Sequence, residues 1–270
     1  MHNKCSKSPV RQRSRPILIA LLLVAFQIEA STAPQSSGHG AEAAEQPALA
    51  GYRIGQKSCY LAETEVQLCQ AGIKILQKSN RNQVITLCPS PFDKIYVYSL
   101  RLKKVFVSPT AKYKNFLCNK LNFIAGNFYT NDNVGMRKTG TNLVFGRKCN
   151  VYTSSTAFAR QQLMLYRQGE CTFESYKTYK VFADETLMVS PTMAKAIYPI
   201  YGLPIAPGMP LAAKLTNVED TVTEALQTTS LFKATFKAAD FTCPSGFTAV
   251  KDERELSLDK RQTEDSIPLF

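Results

Sequence analysis

Residues 94–107, KIYVYSLRLKKVFV, restrict the fold most strongly, because they form a predicted hairpin that is apolar on both faces. Successive side chains of a strand point to opposite faces of the sheet, so a half-exposed strand alternates between apolar and polar residues. Here one face carries Ile95 and Val97, and the other carries Tyr96, Tyr98 and Leu100. Both sides of the sheet therefore need cover from a second layer, a helix or a ligand. Either Ile95 and Val97 or Tyr96 and Tyr98 line a concave surface.

The preceding segment, residues 60–88, has the period-two pattern of three antiparallel strands. A first turn, at an Ala-Gly pair, places Glu65 opposite Lys78 and Leu68 opposite Ile75. Opposite charges then meet on one face and apolar side chains on the other, which is the agreement between strands that fixes register.

The second turn of this meander, centred on residues 80–81, places Ile75 opposite Thr86 and Ile73 opposite Cys88. The two registers together predict one continuous patch on a single face of the sheet. Its members are Val66, Leu68, Ile73, Ile75, Val84 and Thr86.

Helices are few in the pattern. Apolar residues at helical spacing predict one over residues 111–124, and Ser190-Pro191 predicts the start of another, which Pro199 limits to two or three turns. Further strand-like runs lie at 141–146, 149–153, 178–183, 211–218, 222–229 and 247–250. Many strands with two short helices predict an α+β fold, built on a large curved antiparallel sheet with helices on one face.

The first thirty residues have the three-part pattern of a cleaved secretory signal peptide, with a basic start, an apolar run at residues 17–26 and small residues after it. Ten apolar residues rise about 15 Å as a helix, which is half of a bilayer core of roughly 30 Å. We therefore expect an exported protein, periplasmic or extracellular. Residues 31–50 are predicted to be a disordered linker, and residues 51–270 a single domain with a flexible tail at 259–270.

The charge is uneven along the chain. Residues 51–150 hold sixteen Lys or Arg against four Asp or Glu, whereas residues 151–270 hold twelve against fourteen. The basic half favours an anionic partner such as a membrane surface or a cell-wall polymer, and its alternative is a solvated surface without a partner. Nucleic acid is not expected, because none of the spacings of known nucleic-acid-binding motifs is present.

The chain offers little for catalysis or metal binding. Its two histidines, His2 and His39, precede the predicted domain, and no Cys-x-x-Cys spacing occurs. The carboxylates near positions 63–65 and 252–255 are explained by a solvated strand face or a helix end. A hydrolase would need a nucleophile and a base that the sequence does not pair, so we predict a protein that is not an enzyme and has no cofactor.

Seven cysteines follow the signal segment, which predicts up to three disulfides and one remaining thiol in an oxidising compartment. Cys59 and Cys69 bound one predicted strand and would lie roughly 33 Å apart, beyond the reach of a disulfide of about 7 Å. Cys69 and Cys88 fall on opposite faces of the sheet. A bridge between Cys149 and Cys171 stays open, and so does the interpretation that several cysteines are buried as small apolar residues.

Three stretches together resemble the exported half-barrel carriers of the lipoprotein-carrier (LolA-like) superfamily. They are residues 94–107, residues 139–152 (TGTNLVFGRKCNVY) and residues 239–250 (ADFTCPSGFTAV), the last being similar to the family's closing strand entry of phenylalanine, proline, glycine and an aromatic residue. The resemblance covers roughly residues 52–258. It implies an open half-barrel whose short helices cover an apolar concave face that receives acyl chains, and it brings no universal catalytic residue.

The leading hypothesis is an exported, non-catalytic protein, such as a periplasmic carrier, that binds a lipid or another apolar moiety in a concave sheet cavity. Its partners would be a lipid or acyl chain and an anionic membrane or cell-wall surface. The alternative is an envelope interaction or structural protein with a filled core, which docks on a polyanion or protein partner through its basic half. The residues expected to line the cavity are Val66, Leu68, Ile73, Ile75, Val84, Ile95 and Val97.

Overall fold

The computed structural model describes residues 48–78, 83–116, 134–187 and 190–256. The predicted signal peptide, most of the predicted linker, the turn at 79–82 and the predicted tail lie outside these residues. Twelve strands and two α-helices form the described part of the chain. The strands are β1 Leu49–Ser58, β2 Ala62–Cys69, β3 Gly72–Gln77, β4 Val84–Pro89, β5 Lys94–Ser99, β6 Lys104–Pro109, β7 Met136–Val144, β8 Arg147–Ser154, β9 Tyr176–Asp184, β10 Met209–Asn217, β11 Val222–Phe236 and β12 Thr248–Val250, and the helices are α1 Thr156–Arg167 and α2 Pro191–Ile200.

All twelve strands belong to one sheet, in the order β12-β6-β5-β4-β3-β2-β1-β11-β10-β9-β8-β7. Each neighbouring pair is antiparallel except β12 and β6, which are parallel. Two meanders, β1 to β6 and β7 to β11, are therefore joined through the long-range pairing of β1 with β11. The end strands β12 and β7 do not pair with each other, so the sheet is open.

The sheet is curved, and a contact between residues of two distant strands shows how strong the curvature is. Tyr52 in β1 and Arg147 in β8 are separated by three strands, which in a flat sheet amounts to roughly 19 Å. The Arg147 guanidinium nevertheless lies 6.0 Å from the centre of the Tyr52 ring. The predicted fold class, an α+β fold with a large curved sheet and few helices, is thus confirmed.

The register predicted for the meander is half right. Strands β3 and β4 pair as predicted, with Ile75 opposite Thr86. Between β2 and β3 the observed partner of Leu68 is Ile73, two residues from the predicted one, because the two-residue turn lies at residues 70–71, one residue earlier than predicted. A shift of two residues leaves every side chain on its predicted face, and Lys78 still reaches Glu65 at 3.7 Å.

The two apolar faces of residues 94–107 are explained by two separate cores. Ile95 and Val97 are buried in the main core, on the side where α2 packs, which we call the covered face. Tyr98 points to the opposite, back face, where it belongs to a smaller apolar cluster. A C-terminal segment supplies the second layer there, since the Phe247 ring meets Tyr98 at 5.5 Å and Phe241 meets Phe236 at 5.6 Å.

Helix α2 begins as predicted. The Ser190 side chain accepts a hydrogen bond of 3.1 Å from the Met193 amide, Pro191 occupies the first turn and Pro199 the last. Helix α1 was not predicted. Its Ser155 cap is present, but only Phe158 and Gln162 are fully buried, so its apolar pattern is weak.

The prediction of a helix over residues 111–124 was wrong at its start. A single 3-10 turn covers Thr110–Lys112, and residues 113–115 that follow are not helical. The chain leaves the helical conformation because Tyr113 is extended, with φ −70° and ψ 131°. Phe116 is helical, as predicted, and residues 117–124 lie outside the described part of the chain.

Strand β1 passes close to β2 at Gly51, where a Cβ atom would lie 2.2 Å from the Leu68 carbonyl oxygen. We expect Gly51→Ala to lower the free energy of unfolding by about 1–3 kcal/mol, the usual cost of overpacking, measured by urea denaturation. Gly140→Ala is the matched control, because nothing lies within 4 Å of its added methyl group. It should change stability by less than about 0.5 kcal/mol. Equal losses in the two variants would contradict the close packing of β1.

Candidate functional site

The covered face brings together all seven residues that the sequence proposed for an apolar cavity. They belong to one apolar cluster with α2, which contributes Met193, Ala196 and Ile197. Their exposed fractions are 0–4%, so other side chains cover them on this face. The seven are Val66, Leu68, Ile73, Ile75, Val84, Ile95 and Val97. A ligand would reach them only after the elements that cover this face had moved.

A buried hydrogen-bond network fixes the C-terminal end of α2 on the sheet. Tyr201, which caps the helix and is 1% exposed, donates a hydrogen bond of 2.6 Å to Gln56 Oε1 in β1. Its hydroxyl also lies 3.3 Å from Thr64 Oγ1 in β2. Gln56 Nε2 in turn donates to the Pro210 carbonyl at 2.8 Å. Unpaired buried polar groups are costly, so this network ties the helix position to three separate parts of the sheet.

A pocket of about 600 Å³ opens beside α2 rather than beneath it. One wall is the exposed flank of the helix and the segment after it, and the other is the turn between β4 and β5 together with the segment that follows β6. The described residues that line it are Phe92, Asp93, Pro109, Thr110, Ala111, Tyr113, Lys114, Thr192, Lys195, Pro199 and Ile205. The pocket has an apolar lining with charged groups: Lys114 and Lys195 are exposed, as is Asp93.

Phe92 occupies a strained position in this pocket. Its φ of 68° lies in the left-handed region that bulky residues avoid, and its side chain is buried within the main core. Thr110 holds the turn, because its hydroxyl donates to the Phe92 carbonyl at 2.8 Å and its amide donates to the Asp93 carbonyl at 2.9 Å. Strain of this kind persists where the surroundings enforce it and clusters at binding sites.

Behind the pocket, Tyr113 is tied to the C-terminal segment. Its hydroxyl donates to Glu253 Oε1 at 3.1 Å, and the Phe116 amide donates to Glu253 Oε2 at 3.2 Å. Burial of the carboxyl group raises the pKa of Glu253 to about 7, although these two hydrogen bonds act in the opposite direction. The residues from β12 to Leu256 thus extend the sheet beyond β6 and end in the main core.

The predicted disulfides are absent from the described residues, where all six cysteines are unpaired. Cys69 lies in the back-face cluster and Cys88 in the main core, which confirms that they occupy opposite faces. Cys149 is buried, and Cys171 donates instead to the Gln162 carbonyl at 3.8 Å, so the open pairing of these two is not formed. Burial raises the pKa of the Cys88 and Cys149 thiols to about 11, as expected for cysteines that act as small apolar residues. Cys118 lies outside the described residues.

Apart from Glu253, which accepts the two hydrogen bonds described above, the carboxylates considered for catalysis serve ion pairs. Glu65 lies 3.2 Å from Arg53, and Glu63 lies 3.4 Å from Lys57. Asp252 is paired with Arg254. Within the described ranges, no three His, Cys, Asp or Glu side chains are grouped to hold a metal ion, and no helix there is long and apolar enough to cross a membrane.

The sequence did not point to the pocket, because its two walls come from segments about eighty residues apart. The local signals were the Pro-Phe-Asp turn at 91–93 and the Pro-Thr pair that follows β6, which indicate turns but not their proximity to α2.

Comparison with known proteins gives structural neighbours only. No protein-family model matches the chain, and no curated protein matches it. An uncharacterised conserved protein from Thermus thermophilus is similar at 8% identity and a TM-score of 0.41, over 74% of this chain and 90% of that one. A LolA superfamily protein from Nitrosomonas europaea is similar at 8% identity and a TM-score of 0.26, over 73% of this chain and 91% of that one. The lipoprotein LppX from Mycobacterium tuberculosis is similar at 12% identity and a TM-score of 0.26, over 67% of this chain and 85% of that one.

The structures that this chain is similar to thus include a LolA superfamily protein, the family that the sequence resembles. All three TM-scores lie below 0.5, and the functional proposal therefore rests on the geometry of this chain.

The raised pKa of Glu253 makes stability depend on pH. As the pH rises from about 4.5 to about 7, the unfolded chain releases this proton while the folded protein keeps it, so folding loses free energy over that window. We expect Glu253→Gln, which cannot ionise, to gain stability relative to wild type by on the order of 1–2 kcal/mol between pH 5 and pH 8. Melting temperatures measured across this range test the change.

The control for Glu253 is Glu255→Gln, which removes a charge from an exposed position of the same 3-10 turn, Glu253–Leu256. A pH-independent difference between wild type and Glu253→Gln would show that Glu253 is ionised throughout, contrary to its burial beside Tyr113.

Proposed function

We propose that this protein is an exported, non-catalytic binder of an amphiphile, and that the pocket between α2 and residues 92–114 receives the apolar chain. The observation that carries the proposal is the pocket itself, about 600 Å³ in volume, with an apolar lining and two lysines. Small-molecule sites in proteins are typically concave, mostly apolar and roughly 300–1,000 Å³ in volume, with a few placed polar groups.

Apolar burial would provide most of the binding free energy, at about 0.8 kcal/mol for each methylene removed from water. Phe92, Pro199 and Ile205 offer the surface against which such a chain packs. Ile205 is 36% exposed, which makes it one of the large apolar side chains left in contact with water. Covering it would add to the affinity.

Charge favours an anionic headgroup. Among the described residues that line the pocket, Lys114 and Lys195 stand against one carboxylate, Asp93. The half of the sequence that includes Lys114 also carries the excess of basic residues. Attraction between exposed charges is screened over a Debye length near 8 Å, so this part of the affinity should weaken with salt.

The second candidate function is an envelope interaction protein with a filled core. The burial of the covered face favours it, because the seven residues expected to line a hollow are 0–4% exposed. In that function the basic half would dock on a polyanion, and the pocket would stay empty.

The two functions differ in whether the protein binds an amphiphile. Binding can be measured by displacement of a fluorescent fatty acid, cis-parinaric acid. We expect dodecanoate to displace the probe from the wild-type protein. Thr192→Trp, at an exposed position of the pocket, should weaken binding at least about tenfold by filling the site.

Lys195→Glu should weaken dodecanoate binding about three- to tenfold at low salt, since it replaces an attractive charge by a repulsive one. Binding of the uncharged dodecanol should be unchanged. Arg160→Glu, at a position on α1 that is also exposed, is the matched control and should leave both ligands unaffected. Failure of the wild type to bind either ligand, together with salt-sensitive binding to heparin, would exclude the proposal and favour the filled-core function.

A further inference from the structure

The β7–β8 hairpin ends in an exposed apolar tip. Leu143 is 71% exposed and Phe145 is 51% exposed, and both stand at the turn that joins the two strands. Strand β7 is the last strand of the sheet, and its residues 137–143 are all exposed. The tip therefore faces water with two large apolar side chains that no layer of the described structure covers.

Phe145 stands at a position that the backbone disfavours for it. Its φ is 50° and that of Gly146 is 72°, so both central residues of this two-residue turn are in the left-handed region. Such turns select Asn, Asp or Gly at the first position, because a bulky side chain is strained there. The turn thus places an exposed aromatic ring on a strained backbone. This arrangement favours neither the stability of the fold nor solubility, and strain of this kind clusters at functional sites.

The hairpin is also basic. Residues 136–154 contain Arg137, Lys138, Arg147 and Lys148 and no acidic residue. Lys148 is exposed and lies directly opposite Leu143 in the register of the two strands. A cation and an apolar side chain are thus presented side by side at the tip.

Arg147 holds the tip rigidly on the rest of the sheet. It is paired with Asp184, donates to Thr186 Oγ1 at 2.8 Å and stacks over Tyr52. The carboxylate of Glu185, next to Asp184, accepts hydrogen bonds from Asn150 and Tyr152 of the hairpin. Lys148 therefore supplies the exposed positive charge at the tip.

We propose that this tip docks the protein on an anionic phospholipid surface, with Leu143 and Phe145 in the headgroup region and Lys148 against the lipid phosphates. Aromatic side chains favour the membrane interface, and basic residues add attraction to anionic lipids. A lipid surface fits better than a protein groove, because two side chains at a protruding turn offer far less than the roughly 800 Å² that each partner buries in a stable protein interface. This surface is separate from the pocket and does not depend on the proposed ligand.

The chain contains no tryptophan, so a single substitution creates a specific fluorescent probe. We expect F145W to show a blue-shifted emission when vesicles of phosphatidylglycerol and phosphatidylcholine are added, and no shift with phosphatidylcholine alone. F232W is the matched control, because Phe232 is 48% exposed but lies on β11, and its emission should not move.

Co-sedimentation with the same vesicles tests the tip without a probe. L143S should lower the partition of the protein onto anionic vesicles at least tenfold, whereas V222S, at a site 56% exposed elsewhere, should have no effect. Unchanged melting temperatures would show that both variants fold. Equal shifts for F145W and F232W, equal binding to neutral vesicles, or equal binding by L143S and wild type would overturn the proposal.

Discussion

The hydroxyl group of Tyr201 fixes the arrangement on which the rest of the structure depends. It is buried and bonded to Gln56 in β1 at 2.6 Å, close to Thr64 in β2, and it stands at the C-terminal end of α2. Because a buried hydroxyl that loses its partner costs free energy, the helix cannot slide along the sheet without breaking this contact. The side chains of the covered face are buried, and the pocket lies beside the helix.

A second layer on the back face has an equally clear origin. Residues 238–247 bring Phe241 and Phe247 against the strands of the first meander, and β12 then pairs with β6 and forms the edge strand of the sheet. Leu256 finally enters the main core on the other side. The C-terminal segment thus passes around one edge of the sheet, which protects that edge from pairing with other chains. At the opposite edge β7 stays open and carries the basic tip.

Period-two alternation in the sequence was enough to predict the strands β2 to β4, the faces of their side chains and the pairing of Ile75 with Thr86. It did not reveal β1, because Gly51 and Gly55 weaken the strand signal, although each is needed where a neighbouring strand comes close. Nor did it reveal what covers each face, since that depends on contacts between segments far apart in the chain. The seven proposed residues do share one face, but the helix above them and the pocket beside it follow from tertiary packing alone.

Two phenylalanines, Phe92 and Phe145, adopt left-handed backbone conformations, one in the pocket and one at the hairpin tip. Both sites combine an apolar surface with lysines, as the binding of an anionic amphiphile and of an anionic membrane would require. Hydrogen exchange of the backbone amides with and without bound dodecanoate tests most directly whether the ligand lies beside the helix. We expect greater protection in residues 110–114 and in α2, with the amides of β3 to β5 unchanged. Faster exchange of the α2 amides on binding would contradict this placement, because the ligand would then displace the helix from the covered face.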